Sequence, residues 1–106
     1  MPQFIVIGHD GTDDGALDRR MAARDAHLKT CAESVASGNQ LIGAAMMNDD
    51  GKMNGSVMIM DFPDRAALDN WLAREPYVAG KVWDRIEVIP CKVPDTFAHC
   101  FPKKRV

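Results

Sequence analysis

The segment Ala16–Ser37 reads Ala-Leu-Asp-Arg19-Arg20-Met-Ala-Ala-Arg24-Asp-Ala-His27-Leu28-Lys-Thr-Cys31-Ala-Glu-Ser-Val35-Ala-Ser. It holds no proline or glycine and is rich in alanine, leucine, arginine and glutamate or aspartate, so its spacing predicts a long helix. Leu17, Met21, Leu28, Cys31 and Val35 recur at helical intervals and form the expected core-facing stripe. Arg24 falls in the middle of that stripe, and Arg20 and His27 lie along one edge of it. Arg20, Arg24 and His27 are four and three residues apart, so two guanidinium groups and an imidazole share a face that can hold an anion beside a titratable group. An arginine directed at a core needs a carboxylate, a carbonyl or a ligand anion to offset its desolvation. A structural ion pair satisfies that need as well as a substrate does.

The flanks of this helix set the rest of the order. Upstream, Gln3–Gly8 is a short β-branched run and predicts a buried strand. It is followed by a polar, glycine-rich loop through Gly15, with Asp13 or Asp14 as the helix cap. That loop has neither GxGxxG nor GxxxxGK[ST], and its three aspartates would repel phosphate, so nucleotide binding is excluded. Downstream, Gly38 and Asn39 end the helix. Leu41–Met47 and Ser56–Phe62 then form two strands joined through Asn48-Asp-Asp-Gly51-Lys52, a strong hairpin turn.

Asp64 caps a second helix that buries Leu68, Trp71 and Leu72, and Glu75 before Pro76 ends it. Tyr77–Lys81 is a connector with room for one helical turn, and Val82–Val93 is the last strand. Pro90 places that strand at a sheet edge or a bulge. The order βαββαβ is the split-βαβ, ferredoxin-like arrangement: an α+β fold with an antiparallel sheet and two helices on one face. Both faces of the strands read as apolar, so the open face needs a cover, which predicts a homodimer.

At 106 residues the chain fits one domain, 1–93, with a tail 94–106 able to pack on the partner subunit. With 46% hydrophobic and 26% charged residues it is an ordinary globular composition. A formal charge of −2 argues against nucleic acid, and the basic cluster Lys103, Lys104 and Arg105 reads as a solvated tail. No apolar run approaches a membrane span and no signal peptide is visible, which points to the cytoplasm. Cys31, Cys91 and Cys100 are odd in number and lack CxxC spacing, as expected of reduced thiols. Cys31 is expected to be buried and inert. No spacing of histidines and carboxylates announces a metal.

Three pieces in order, Arg19-Arg20-Met-Ala-Ala-Arg24-Asp-Ala-His27-Leu28, Gly55-Ser56, and Glu75-Pro76-Tyr77-Val78 followed by Gly80, resemble the YciI-like (YCII-related) family of the dimeric α/β-barrel group. The likeness runs from about Met1 to Lys92. Members of that family are generally taken to be enzymes because of a histidine and an aspartate. His27 matches the histidine. The residue before Pro-Tyr is usually aspartate and here is Glu75, while Asp10 matches another acidic position of the family, so either is a partner for His27.

The resemblance implies a cofactor-independent lyase or isomerase with His27 as general acid or base and Glu75 or Asp10 beside it. Arg20, Arg24 and Ser56 would bind a small anionic substrate, and Tyr77 lines the same pocket or packs behind it. The alternative is a non-catalytic metabolite-binding or regulatory module of the same fold.

Overall fold

A computed structural model describes residues 2–100; the segment with Phe101 and the basic cluster Lys103–Arg105 lies outside them, as does the side chain of His99. The elements are β1 (Gln3–Asp10), α1 (Ala16–Ser37), β2 (Gln40–Met47), β3 (Met53–Asp61), α2 (Arg65–Arg74), α3 (Pro76–Ala79) and β4 (Trp83–Cys91), followed by a 3-10 segment at Asp95–Cys100. The four strands form one antiparallel sheet in the order β2-β3-β1-β4, with the helices on one face. This is the ferredoxin-like arrangement. β4 is an edge strand, which is why Pro90 is tolerated in it.

Local chemistry accounts for most boundaries. Gly38 ends α1 in the left-handed region at φ 84°, and its N–H and that of Asn39 close back on the carbonyls of Val35 and Ser34. Asp64 caps α2 by accepting from the Ala67 N–H at 2.8 Å. The expected cap of α1 differs: Gly15 occupies that place without a side-chain bond. Asp13 instead accepts from the Gly15 N–H and clasps Arg19 through two bonds of 2.8 and 2.7 Å.

β1 also runs two residues beyond its expected end, because Gly8 is no breaker here. Its missing Cβ leaves room for the Trp83 ring, whose atoms would lie 2.4 Å from a methyl at that position. His9 pairs with Gly55 and Arg85, and Asp10 with Trp83, so the strand continues and turns Asp10 toward the helices.

Between sheet and helices lie Phe4, Val6, Met58, Met60, Phe62, Leu68, Trp71, Leu72, Tyr77, Val82 and Trp83. The α1 face buried against them is not the expected one. Met21 is 50% and Leu28 45% exposed, whereas Arg20 is 3% and His27 7% exposed. The buried line runs Ala16, Arg20, His27 and Ser34, with Ala23 packed alongside, so α1 is rotated by roughly a quarter turn from its hydropathy stripe. Arg24 is correspondingly half-exposed on the flank. The reason is pairing: two polar side chains with carboxylate partners sit in the interior more favourably than partnerless ones, and they leave room for only small neighbours.

Candidate active site

β1, α1, β3, α3 and the junction before α3 bring six of the seven expected residues together, all but Arg24. Arg20 Nη1 donates to both carboxylate oxygens of Asp10 at 3.0 and 3.1 Å, and Nη2 donates to Ser56 Oγ at 2.9 Å. Burial pushes the Asp10 carboxyl above its ordinary value, against the pull of Arg20. The guanidinium carbon also stands 4.8 Å from the centroid of the Tyr77 ring.

His27 and Glu75 form the second pair. His27 Nδ1–H donates to Glu75 Oε1 in a short contact, and the other carboxylate oxygen accepts from the Tyr77 N–H at 2.9 Å, capping α3. Glu75 is completely buried, held there because Pro76 fixes the backbone turn from α2 into α3. The imidazole lies flat on Tyr77, with centroids 3.8 Å apart and planes 9° from parallel, and Trp83 meets it edge-on. Burial lowers the His27 pKa; the contacts with Cys31 and Glu75 outweigh that and bring it from 6.5 up to about 9. At neutral pH the ring is therefore an imidazolium facing a carboxylate.

Of the two acids that sequence left open, the geometry puts Glu75 on His27 and Asp10 on Arg20. Tyr77 packs behind the site and does not line its cavity; burial pushes its hydroxyl above the ordinary value. Arg24 makes no hydrogen bond or ion pair among the described residues, though its charge reaches Tyr77. It is a solvent-side cation one turn from both Arg20 and His27.

A cavity of about 220 Å³ opens between α1 and β2, lined by Arg20, His27, Cys31, Gln40, Ser56 and Met58, with Gly43 and the alanines of β2 as its wall. Its volume is that of about seven liquid waters, so a small molecule fits. Two lining groups escaped the sequence reading. Gln40 sits at a bulge in β2, for which no sequence signal is visible. Cys31 was expected to be shielded, yet it is half-buried with Sγ 3.4 Å from His27 Nε2; its spacing of four from His27 was the signal available. Among the described residues no group of three or more histidines, cysteines and carboxylates converges as a metal site, and no helix is long and apolar enough to cross a membrane.

The model of the YCII-related domain family matches residues 4–92. The chain belongs to that family. This YCII-related domain is 30% identical to Protein YciI of Escherichia coli O6:H1 over 95 residues, 84% of this chain and 95% of the relative. The same values hold for Protein YciI of Shigella flexneri. Among solved structures the YCII-related chain is similar to 5-chloro-2-hydroxyhydroquinone dehydrochlorinase from Burkholderia phenoliruptrix AC1100, determined with 2,5-dihydroxybenzoquinone. That match has a TM-score of 0.75 at 20% identity and covers 89% of this chain and 97% of that one. A dimeric ferredoxin-like protein of unknown function from Jannaschia sp. CCS1 matches with a TM-score of 0.54 at 17% identity, over 88% and 100% of the two chains. At these identities the structural likenesses concern the fold.

Proposed function

We propose that this YCII-related chain is a cofactor-independent enzyme of lyase or isomerase type that moves a proton on a small anionic substrate. One observation carries the reading. A buried imidazole has one nitrogen committed to a fully buried carboxylate and its other edge on a cavity. Glu75 fixes the ring and its tautomer and stabilises the imidazolium, so His27 acts first as general acid at neutral pH and as base in the return step. Ser56 Oγ, held by Arg20, and the Arg24 charge at the flank orient the anion. Arg20 positions Ser56 and Asp10 neutralises it, which makes both supports of the site. A hydroxyquinone such as the ligand of the dehydrochlorinase is an acidic, small, planar compound in keeping with this cavity.

The test is solvent-deuterium exchange into 2,5-dihydroxybenzoquinone and small enolisable carboxylates, followed by NMR. Exchange above the uncatalysed rate is the expected result. Binding without exchange would make the chain a metabolite-binding module, and neither binding nor exchange with any of them would remove the reading.

The proposed assembly is a homodimer in the cytoplasm. The outer sheet face carries Ile5, Ile7, Ile42, Val57, Ile59 and Ile89, of which Ile42 and Ile89 are well exposed. The 3-10 segment covers part of it through Phe97, beside Ile5, Ile42 and Ile59. A second copy would bury the remainder, with the tail against the partner. Sedimentation is expected to give twice the chain mass at micromolar concentration, and a stable monomer would exclude this assembly.

A further inference from the structure

Proton transfer by His27 and Glu75 leaves Cys31 unused. Its sulfur lies 3.4 Å from His27 Nε2 while Glu75 holds Nδ1, and Cys31 and His27 line the same cavity. Carboxylate, imidazolium and thiol thus stand in series, and a cation beside a thiol favours the thiolate, its nucleophilic form. A second observation points to an occupant. Arg20 Nε and Gln40 Oε1 belong to side chains only 3% exposed that line this cavity, and neither atom has a partner among the described residues. An unspent buried donor and acceptor each cost free energy until something takes them up.

We infer that Cys31 is a nucleophile of this site, and that the substrate class is small anions bearing a carbon–carbon double bond conjugated to a carbonyl, to which the thiolate adds reversibly. The inference rests on His27 being a proton carrier. Because His27 is already an imidazolium, the thiol proton leaves to solvent, and the thiolate rests beside the Nε2–H while Glu75 holds Nδ1. Sulfur bonds to the carbon β to the carbonyl, and the π pair moves to the carbonyl oxygen as an enolate beside Ser56 Oγ, which lines the same cavity. His27 Nε2 then gives its proton to the α carbon, giving a thioether. The reverse sequence expels the thiolate and restores the double bond, so no oxidant or co-reactant is consumed. Rotation about the transient single bond before the thiolate leaves would make the cycle productive, as a cis–trans isomerisation. Arg24 supplies the charge that selects an anion.

The experiment labels the full chain with 3-benzoylacrylate, an anionic enone, and with neutral acrylamide, and locates adducts by peptide mass spectrometry. Cys91 and Cys100 serve as internal controls: burial pushes the Cys91 thiol up, and Cys100 is exposed. Cys31 is expected to react with 3-benzoylacrylate about tenfold faster than either control in the native protein, with the ratio falling to about one in guanidinium. The advantage should disappear in folded His27→Gln and be smaller with acrylamide. Native Cys31 reacting no faster than Cys100, or an advantage that survives His27→Gln, would overturn the assignment. Labelling needs no turnover, so the two readings fail separately. Slow Cys31 labelling with intact deuterium exchange, including in Cys31→Ser, removes the nucleophile alone; fast labelling without exchange in the wild type removes the proton-transfer reading.

Discussion

Replacing His27 by Gln is expected to lower deuterium exchange into the bound substrate by about a hundredfold to ten-thousandfold, the usual range for losing a positioned general acid or base. Gln is the informative substitution. His27→Ala would leave the fully buried Glu75 carboxylate facing a void, and an uncompensated buried charge costs about 3–5 kcal/mol. Loss of activity in the alanine variant would therefore mix chemistry with folding. The Gln amide can still donate to Glu75 Oε1 and can lie on Tyr77, but it cannot carry a proton at neutral pH. Circular dichroism and a urea titration check that it folds, and exchange within about fivefold of wild type would end the acid/base assignment.

The second large effect is on stability against pH. His27 has its pKa raised to about 9 in the folded state from an ordinary 6.5. A base whose pKa rises on folding contributes stability that is fully present below the unfolded value and is lost as pH passes through the folded one. Unfolding free energy is thus expected to fall between about pH 6.5 and 9, by about 3 kcal/mol if the whole shift is realised. Urea unfolding across that window measures it. His27→Gln should flatten the curve, and any slope remaining there belongs to other groups. In Glu75→Gln the ring loses its carboxylate but stays buried, so its NMR titration should move down from about 9. A wild-type curve as flat as that of His27→Gln would show that the pair exerts no such linkage.

Much of the architecture was legible because its signals are local. Gly38, Asp64, Pro76 and the Asn48–Lys52 turn each act within a few residues, and each element boundary they imply lies close to the observed one. Pro90 likewise marked an edge strand. The orientation of α1 was not legible, since it depends on partners far away in sequence. Hydropathy ranks Met21 and Leu28 above Arg20 and His27 for the interior. That ranking reverses once Asp10 and Glu75 arrive from β1 and the α2–α3 junction. Small residues at 16 and 23, on the same line as Arg20 and His27, were the hint available, because large neighbours would leave the paired side chains no room.

Cys31 was hidden for the same reason: with the hydropathy stripe as the inner face of α1 the thiol falls into the core, although a residue four beyond a histidine on a helix lies beside it. The choice between Glu75 and Asp10 needed coordinates for a different reason: both acids are buried, and only the extension of β1 beyond Gly8 sends Asp10 to Arg20.

The alternation along β3 gives the distant hairpin turn a share in the chemistry. Ser56 and Met58 face the cavity while Val57 and Ile59 face the outer surface. Asn48 Oδ1 accepts from the Asp50 and Lys52 N–H groups, and Gly51 takes φ 76°, so this loop sets which β3 residue meets which β2 residue. Adding or deleting a single residue there would exchange inside for outside along the whole strand. Ser56 would leave Arg20 and a valine or glycine would take its place, while the outer surface would acquire a hydroxyl. The length of this loop, together with Asn48 and Gly51, therefore helps hold Ser56 against Arg20.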